Sequence, residues 1–499
     1  GLATYFREHL RKEMKRWIKE NPKNDDDDFY NLYKDGLKIY VTIDSRMQEY
    51  AEEAMKKHMK NLQNELDSQN KKNKTAPFRG LTQKEIDVEL NKAMRRSERY
   101  RVYTKELGKS KKEALASFNI KKKMRIFSWD GEIDTIMTPK DSMLYYKKFL
   151  RTGVLSIEPQ TGNIKAWVGG INHKYFKYDH AKQGTRQVGS TFKPFVYATA
   201  IDQLKYSPCD TLPDAYFCIP EGRHGNLKDW CPKNSNGKYK GMISLKSALA
   251  NSVNTISARL MDKVGPKNVV NMAHSLGIKN EIPEFPSICL GTPELSLYEM
   301  VNSYSTLANM GQYIRPTIIS RIEDKNGIVL YQNVPETKDV LSKESAYVTV
   351  KLMEGVTKYG SGARLRSGKN TWNPVYKKGL VTGHPYQFTN DIAGKTGTTQ
   401  NNSDGWFMGM VPNLVTGVWV GAEDRAVHFN RTAYGQGATM ALPIWGQYMK
   451  SCYANKDLGI SAEPFEEPEN LSIEVDCDKW AKQNGQDDGD FDDGLGDGL

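Results

Sequence analysis

The sequence predicts an α+β fold in which an antiparallel sheet is flanked by a helical subdomain. "GVLSIEPQTGNIKAWVGG" (153–170) contains two apolar strands around a Gln160–Thr161–Gly162 turn. "GWFMGMVPNLVTGVWVG" (405–421) contains two more, around Pro412–Asn413. Between these stretches, residues 190–310 look mainly helical, and one helix is expected from Gly241 to Leu260 because apolar residues recur there at three and four. Helices and strands that occupy separate stretches of the chain favour α+β over alternating α/β.

Composition narrows the class of protein. The chain has 499 residues, of which 38% are hydrophobic and 26% charged, so it is globular and large enough for more than one domain. It has no apolar run long enough for a transmembrane helix and no signal peptide at its start. We therefore expect a cytosolic protein or a piece of a longer chain, and a start without methionine favours the piece. The net charge of +11 is spread out and no nucleic-acid-binding motif occurs, so nucleic acid is not an expected partner.

Four segments are expected along the chain. Residues 1–62 form a helix, a strand and a helix, and the last helix has Asp44 or Ser45 as its N-cap. Residues 63–148 form a charged insert or pedestal, and residues 149–455 a compact domain. Residues 456–499 form a C-terminal extension whose Asp/Gly-rich acidic tail is expected to be disordered from about 481.

The first helix has one apolar stripe on an otherwise basic surface. The stripe consists of Leu2, Phe6, Leu10, Met14 and Trp17. Helical spacing of these residues predicts either a surface helix docked on the body or a helix near an anionic membrane.

The chain has six cysteines, and the sequence does not determine whether they form disulfides or are free thiols. They are Cys209, Cys218, Cys231, Cys289, Cys452 and Cys477. The spacing of Cys218 and Cys231 has no zinc-ligand pattern, so no metal is expected. A loop disulfide in an oxidising compartment and free buried thiols are both compatible with the pattern.

"RQVGSTFKPFVYATA" (186–200) raises the question of catalysis. A serine needs a neighbouring base to act as a nucleophile, and a lysine can be that base if it is neutral. Residues three apart on a helix share a face, so a helix starting at Ser190 is expected to bring the Lys193 amine beside the Ser190 hydroxyl. The same pattern occurs at Ser68–Lys71 and Ser235–Lys238, in a polar linker and a turn. Taken alone, Ser190 is better explained as a helix cap.

Two further motifs change this interpretation. Ser252-Val253-Asn254 follows Ser190 by 62 residues, and Lys395-Thr396-Gly397 follows it by 205. Helix capping and an edge strand would explain each motif separately. In this order, however, the three motifs are specific to serine transferases and hydrolases that act on D-alanyl peptides or β-lactams.

These motifs and their surroundings resemble the transpeptidase part of class A penicillin-binding proteins. The matching stretches are "RQVGSTFKPFVYATA", "SLKSALANSVNTISARLM" and "DIAGKTGTTQNNSDGWFMGMVPNLVTGVWVGAED". The resemblance is strong over residues 150–450 and looser before them, where the insert and opening helix are similar to homologues from the Bacteroidota. It implies a penicillin-binding-protein/β-lactamase-like transpeptidase fold with an N-terminal linker or pedestal.

The resemblance also raises expectations about location. Class A proteins carry a membrane anchor and a glycosyltransferase domain before the transpeptidase domain, and this sequence shows neither. We therefore expect an ectodomain piece or a truncated gene, on the periplasmic face of the inner membrane. The expected partners are peptidoglycan stem peptides, lipid-linked nascent glycan, β-lactams and other cell-wall synthesis proteins.

The resemblance implies a role for each motif residue. Ser190 attacks the penultimate D-alanine carbonyl after Lys193 takes its proton, and Ser252 passes the proton to the departing D-alanine. Asn254 orients the peptide, while Lys395 keeps Lys193 neutral and attracts the substrate carboxylate. The expected substrate-binding residues are Thr396, Gly397 and Thr398, and the expected oxyanion hole consists of the backbone N–H groups of Ser190 and Thr398. No cofactor is implied.

Other functions are compatible with the same motifs. A D-Ala-D-Ala carboxypeptidase or a β-lactamase would hydrolyse the acyl-enzyme instead of transferring it. A β-lactam sensor would be acylated without turning over peptide, and a cell-wall scaffold would not be acylated at all.

Overall fold

The computed structural model describes residues 1–23, 28–366, 380 and 386–484. The N-terminal segment contains α1 (Thr4–Glu20), β1 (Lys38–Val41) and α2 (Ser45–Asn70). Helix α1 is docked on the body, with Tyr5, Phe6 and Met14 buried. The Asp44 side chain caps α2, as the sequence predicts, by accepting from the backbone N–H groups of residues 46 and 47.

Helix α2 runs through the expected boundary between residues 62 and 63. The apolar spacing of Met55, Met59 and Leu62 continues to Leu66, so the buried face of the helix is unbroken there. The other segment limits stay predictions. After α2 come α3 (Gln83–Arg96), α4 (Glu98–Arg101), α5 (Lys111–Ala116), β2 (Lys122–Ile126), β3 (Ile133–Met137) and α6 (Pro139–Lys147).

The helices and strands of the main domain fall into three stretches of the chain. Its first half contains β4 (Leu150–Glu158), β5 (Asn163–Val168), β6 (Thr185–Gln187), α7 (Lys193–Leu204), β7 (Thr211–Asp214), β8 (Gly241–Ser244), α8 (Leu245–Ala250), α9 (Asn254–Val264) and α10 (Pro266–Leu276). Its middle contains β9 (Glu294–Ser296), α11 (Leu297–Ala308), β10 (Gln312–Ile314), β11 (Ile319–Glu323), β12 (Val329–Gln332), β13 (Thr337–Asp339) and α12 (Lys343–Lys358). It ends with β14 (Ala393–Thr398), β15 (Asp404–Val411), β16 (Leu414–Ala422), α13 (Thr432–Gly435), α14 (Gly437–Met440) and α15 (Leu442–Ala454), and α16 (Cys477–Gln483) follows in the extension.

A five-stranded antiparallel sheet in the order β14-β15-β16-β4-β5 organises this domain. Both hairpins predicted from the sequence are present: β4 and β5 flank the turn at residues 159–162, and β15 and β16 flank Pro412–Asn413. Strand β14 forms one edge of the sheet and pairs residue 397 with Trp406 of β15. The predicted α+β class is therefore confirmed.

Each face of the sheet is covered by helices. Leu155, Ile157 and Trp167 belong to a core shared with α7, α9, α10, α11 and α12. Their neighbours Val154 and Val168 belong to a second core, shared with α2 and α15. This alternation is the period of two that a strand buried on both faces must have.

Helix α7 is the centre of the helical layer. Residues 193–201 are all buried, including the lysine that begins the helix. A helix surrounded by protein on every side is a rigid support for whatever lies at its N-terminus.

The single helix expected from Gly241 to Leu260 is wrong. The stretch forms strand β8, helix α8 and helix α9, with a break at residues 251–253. At the break the Val253 N–H donates to Ala248 O (2.9 Å) and the Ser252 N–H to Leu249 O (3.1 Å), the pattern that closes a helix when the next residue is left-handed. Ser252 is that residue, with φ 58°.

Two disulfides are present in the described ranges. Cys218–Cys231 closes a loop, and Cys209–Cys477 ties the C-terminal extension to the loop after α7. The remaining two cysteines, 289 and 452, are free and buried. Helix α16 ends at Gln483, and the expected disorder of the tail from about 481 stays a prediction, because residues 485–499 lie outside the described residues.

Within these same ranges, no helix is both long and apolar enough to cross a lipid bilayer.

Candidate active site

Ser190 lies in a tight turn immediately before α7. The turn is a 3₁₀ segment, Gly189–Phe192, and Pro194 occupies the first turn of the following α-helix, where a missing N–H costs little. Ser190 is half-buried, and its neighbours Thr191 and Phe192 are fully buried. The nucleophile candidate is therefore accessible while its backbone is held by the core.

Close backbone packing fixes this turn against the sheet edge. Gly189 has φ 55°, and a Cβ on it would lie 2.9 Å from Thr398 O and 3.2 Å from Thr398 N. The Gly189 N–H donates to Gly291 O (3.0 Å), and a Cβ on Gly291 would overlap the Gly189 carbonyl. The segments that carry the two expected oxyanion donors, at Ser190 and Thr398, are thus directly adjacent.

The Lys193 amine contacts the second motif. Its Nζ donates to Ser252 O (2.6 Å) and Asn254 Oδ1 (2.7 Å), with Ser252 Oγ at 3.2 Å. Among the described residues no hydrogen bond joins the Lys193 amine to the Ser190 hydroxyl, so the expected placement of these two groups side by side stays a prediction. The two shortest hydrogen bonds of the amine go to Ser252 O and Asn254 Oδ1.

Burial determines the charge state of this lysine. Lys193 is fully buried, and all its hydrogen-bond partners are neutral. Desolvation lowers the pKa of the Lys193 ammonium to about 7. The nearby Cys289 thiol stays protonated, because burial raises its pKa to about 12.

Lys395 approaches the same serine from the sheet side. Strand β14 carries it, and its Nζ donates to Ser252 Oγ (3.0 Å) and Thr396 O (3.0 Å). Burial, with the charge of Lys193 in second place, holds the pKa of Lys395 well below its usual value. Burial is thus the first cause of the low pKa of both lysines, whereas the sequence interpretation assigned the neutrality of Lys193 to Lys395.

The three residues after Lys395 lie on the edge strand beside the serine turn. The Thr396 and Ser361 hydroxyls are 2.6 Å apart, and Thr398 Oγ1 accepts from the Gly437 N–H (3.0 Å). A Cβ on Gly397 would lie 2.7 Å from Val188 O, so a glycine is needed for the strand to approach the turn this closely. Hydrogen bonds and close backbone contacts thus connect the serine turn, Lys193, the second motif and the strand from Lys395 to Thr398 into one cluster.

A buried carboxylate outside the three motifs connects the segment before Ser190 to the end of the edge strand. Asp404 accepts from Arg186 Nε (2.6 Å), Trp419 Nε1 (3.1 Å) and Thr399 Oγ1 (2.9 Å). It therefore joins the strand before Ser190 to the residue after Thr398. Its only signal in the sequence is an aspartate at the start of an apolar strand, "SDGWF".

Comparison with known proteins identifies this architecture. Residues 152–426 match the family model of the penicillin-binding protein transpeptidase domain, and residues 73–150 match that of the penicillin-binding protein middle domain. Penicillin-binding protein 1A of Aquifex aeolicus is 30% identical over 460 residues, covering 89% of this chain and 57% of that protein. Its counterpart in Neisseria flavescens is 29% identical over 471 residues, covering 88% and 55%. The chain thus spans about half the length of these relatives.

Solved structures share the fold. Penicillin-binding protein 1A from Haemophilus influenzae has a TM-score of 0.63 at 21% identity, covering 94% of this chain and 72% of that one. The PonA1 protein from Mycobacterium tuberculosis, solved with penicillin V, has a TM-score of 0.60 at 21% identity, covering 95% and 97%. Fold and family model agree on a protein with a transpeptidase domain. The chain belongs to the penicillin-binding proteins and is homologous to penicillin-binding protein 1A.

Proposed function

We propose that this chain is a serine-type D,D-transpeptidase that cross-links peptidoglycan stem peptides through an acyl-enzyme on Ser190, and that β-lactams acylate the same serine. One observation carries the proposal. The three motifs meet in a single hydrogen-bonded cluster, in which Ser252 Oγ lies 3.2 Å from Lys193 Nζ and 3.0 Å from Lys395 Nζ.

Acylation starts from neutral Lys193, which takes the proton of Ser190 Oγ. The oxygen forms a bond to the penultimate D-alanine carbonyl carbon, and the backbone N–H groups of Ser190 and Thr398 bind the oxyanion. When the carbon–nitrogen bond breaks, the leaving D-alanine nitrogen receives a proton through Ser252. The amine of a second stem peptide then attacks the ester, which forms the cross-link and returns the proton to Ser190.

The remaining residues bind and orient the donor peptide. Asn254 would orient the peptide amide through the Nδ2 side of its carboxamide. Lys395, Thr396 and Thr398 form a donor-rich edge for the terminal carboxylate, with the Gly397 backbone beside it. No cofactor or metal takes part in these steps.

The environment we propose is the periplasmic face of the inner membrane. Two disulfides in the described chain support an oxidising compartment, since disulfides are rare in the cytosol. The proposed partners there are stem peptides, the lipid-linked nascent glycan that carries them and other cell-wall synthesis proteins.

Intact-mass analysis after incubation with benzylpenicillin tests the nucleophile. We expect the parent protein to gain the mass of one penicilloyl group and Ser190→Ala to gain none. Ser235→Ala is the matched control, because it removes the serine of another Ser-x-x-Lys pattern and should acylate like the parent. An unmodified parent, or an adduct that persists in Ser190→Ala, would refute the proposal.

Transfer is separated from hydrolysis by the products formed from a D-Ala-D-Ala stem pentapeptide. With a second stem peptide as acceptor, the proposal expects a cross-linked dimer that Ser190→Ala does not form. Release of D-alanine with only the shortened tetrapeptide as product would assign the chain to the carboxypeptidases instead.

A further inference from the structure

Helix α9, which carries Asn254 at its first position, is capped by a residue far away in sequence. Its own N-cap residue, Val253, has no side chain that can accept a hydrogen bond. Instead, Asn234 Oδ1 accepts from the backbone N–H groups of Asn254 (3.0 Å) and Thr255 (3.3 Å). The loop between β7 and β8 thus satisfies the exposed donors at the start of the helix.

A buried carboxylate holds Asn234 in place. Asn234 Nδ2 donates to Asp214 Oδ1 (2.7 Å) and Lys238 O (2.9 Å). Asp214 is 1% exposed, and it also accepts from Thr255 Oγ1 (2.6 Å) and the Lys240 N–H (2.9 Å). Asp214 therefore fixes both the loop and the first turn of α9.

The same loop determines which way the Asn254 carboxamide faces. Asn254 Nδ2 donates to Lys233 O (2.8 Å), so its Oδ1 points to Lys193 Nζ at 2.7 Å. If the carboxamide turned over, an N–H group would face the lysine, which could then no longer donate to it and would have its lone pair occupied by that N–H.

The direction of this bond matters for a lysine that acts as a base. A neutral amine has two N–H donors and one lone pair. Ser252 O and Asn254 Oδ1 take the two donors, at 2.6 and 2.7 Å. The lone pair is then left for a hydroxyl, and Ser252 Oγ lies 3.2 Å away.

We propose that Asn234, held by Asp214, is a positioning residue that directs the Lys193 lone pair into the catalytic cleft by fixing Asn254. The proposal rests on the function proposed above. The Cys218–Cys231 disulfide and the hydrogen bonds between the Ile219 and Trp230 backbones close the loop just before Asn234. These cross-links restrict the movement of the chain that carries Asn234.

The test is the rate of acylation by benzylpenicillin, measured over pH in the full chain and in Asn234→Ala. We expect acylation on the order of 10- to 100-fold slower, since misplacing a catalytic group by about 1 Å costs this much. We also expect the midpoint of the pH profile to move to lower pH, because the ammonium form of Lys193 loses an acceptor. A loop residue with only a structural role would not move this midpoint.

Asn226→Ala is the matched control. It removes an asparagine from the same loop, whose Nδ2 donates to Ile219 O (3.2 Å) without touching α9, and should keep the parent rate and midpoint. Asn234→Asp is the second variant. It keeps an acceptor for α9 but turns a second carboxylate toward Asp214, so it too should slow acylation.

The possible results separate this inference from the proposed function. A parent protein that is not acylated at Ser190 overturns both. If the parent is acylated and a folded Asn234→Ala matches its rate and pH midpoint, only the positioning role is overturned. If Asn234→Ala does not fold, parental acylation by Asn234→Asp overturns that role equally.

Discussion

Lys193 and Lys395 are two fully buried lysines that share Ser252 Oγ and have no carboxylate among their hydrogen-bond partners in the described chain. Burying a cation without an anion is unfavourable, so the amines lose protons more readily than lysines in water. At the scale of the residue, burial in the core lowers the pKa of the amine that we propose as the base, so that a neutral amine is available at neutral pH.

The pH dependence of acylation should follow the Lys193 amine. Its pKa of about 7 lies below the usual lysine value, so the neutral base accumulates as pH rises through 7. We expect the second-order rate constant for benzylpenicillin to increase about tenfold per pH unit below the midpoint and to level off above it. A rate that does not change between pH 5 and 9 would argue against Lys193 as the base.

Lys395→Met distinguishes the two causes of the low pKa. Because burial is what lowers the pKa of Lys193, the variant should acylate slowly but keep its midpoint. A midpoint that rises by more than about one pH unit would instead assign the low pKa to repulsion between the lysines.

The motif residues could be named as candidates from the sequence because short motifs carry their own spacing, and their roles stay predictions. Asp404 and Asn234 could not be named, since each contacts the site segments through residues that are distant along the chain. The hydrogen-bond partners of Lys193 could not be predicted either. Helix geometry gives the direction of the lysine side chain, but it does not show which oxygens from other segments lie closest to the amine.

At the scale of the element, the break between α8 and α9 positions the second motif. A left-handed residue after a helix is usually glycine, so a serine there gave no sign of a helix end. Ser252 turns the chain so that its carbonyl and hydroxyl oxygens both face Lys193. The strands, by contrast, were predictable because turns and apolar runs are local features.

Two substitutions at Ser252 distinguish the backbone strain at this residue from the contribution of its hydroxyl to acylation. Ser252→Gly and Ser252→Ala both remove the hydroxyl, so both should slow acylation to a similar extent. Glycine adopts the φ of 58° without strain, and Ser252→Gly should therefore be more stable than Ser252→Ala by about 1 kcal/mol. Urea unfolding measures the difference, and equal stability of the two variants would show that the turn is unstrained.

At the scale of the whole molecule, the C-terminal extension is part of the folded domain. Cys209–Cys477 joins residues 268 positions apart, and Ser207 Oγ donates to Glu474 O beside it. Ala481 is buried within α16. The acidic composition of the tail predicted disorder from about 481, but a cross-link to a distant cysteine could not be deduced from composition.

The two disulfides should differ in their contribution to stability. In the chain-entropy model, a disulfide restricts the unfolded chain more when it closes a longer loop. Cys477→Ser should therefore lower the free energy of unfolding by about 2–3 kcal/mol more than Cys231→Ser, whose partner is 13 positions away. Denaturant titrations of both variants measure this; a larger loss in Cys231→Ser would indicate that native contacts of the loop outweigh chain entropy.

The close contact between Gly189, Gly291 and the Thr398 backbone limits the substitutions that this sequence can accept during evolution. No side chain fits at either glycine without displacing the turn that holds Ser190. Almost any amino-acid substitution there should therefore change the position of the proposed nucleophile. If β-lactams acylate Ser190 as proposed, substitutions that confer resistance should therefore occur at positions other than these two glycines.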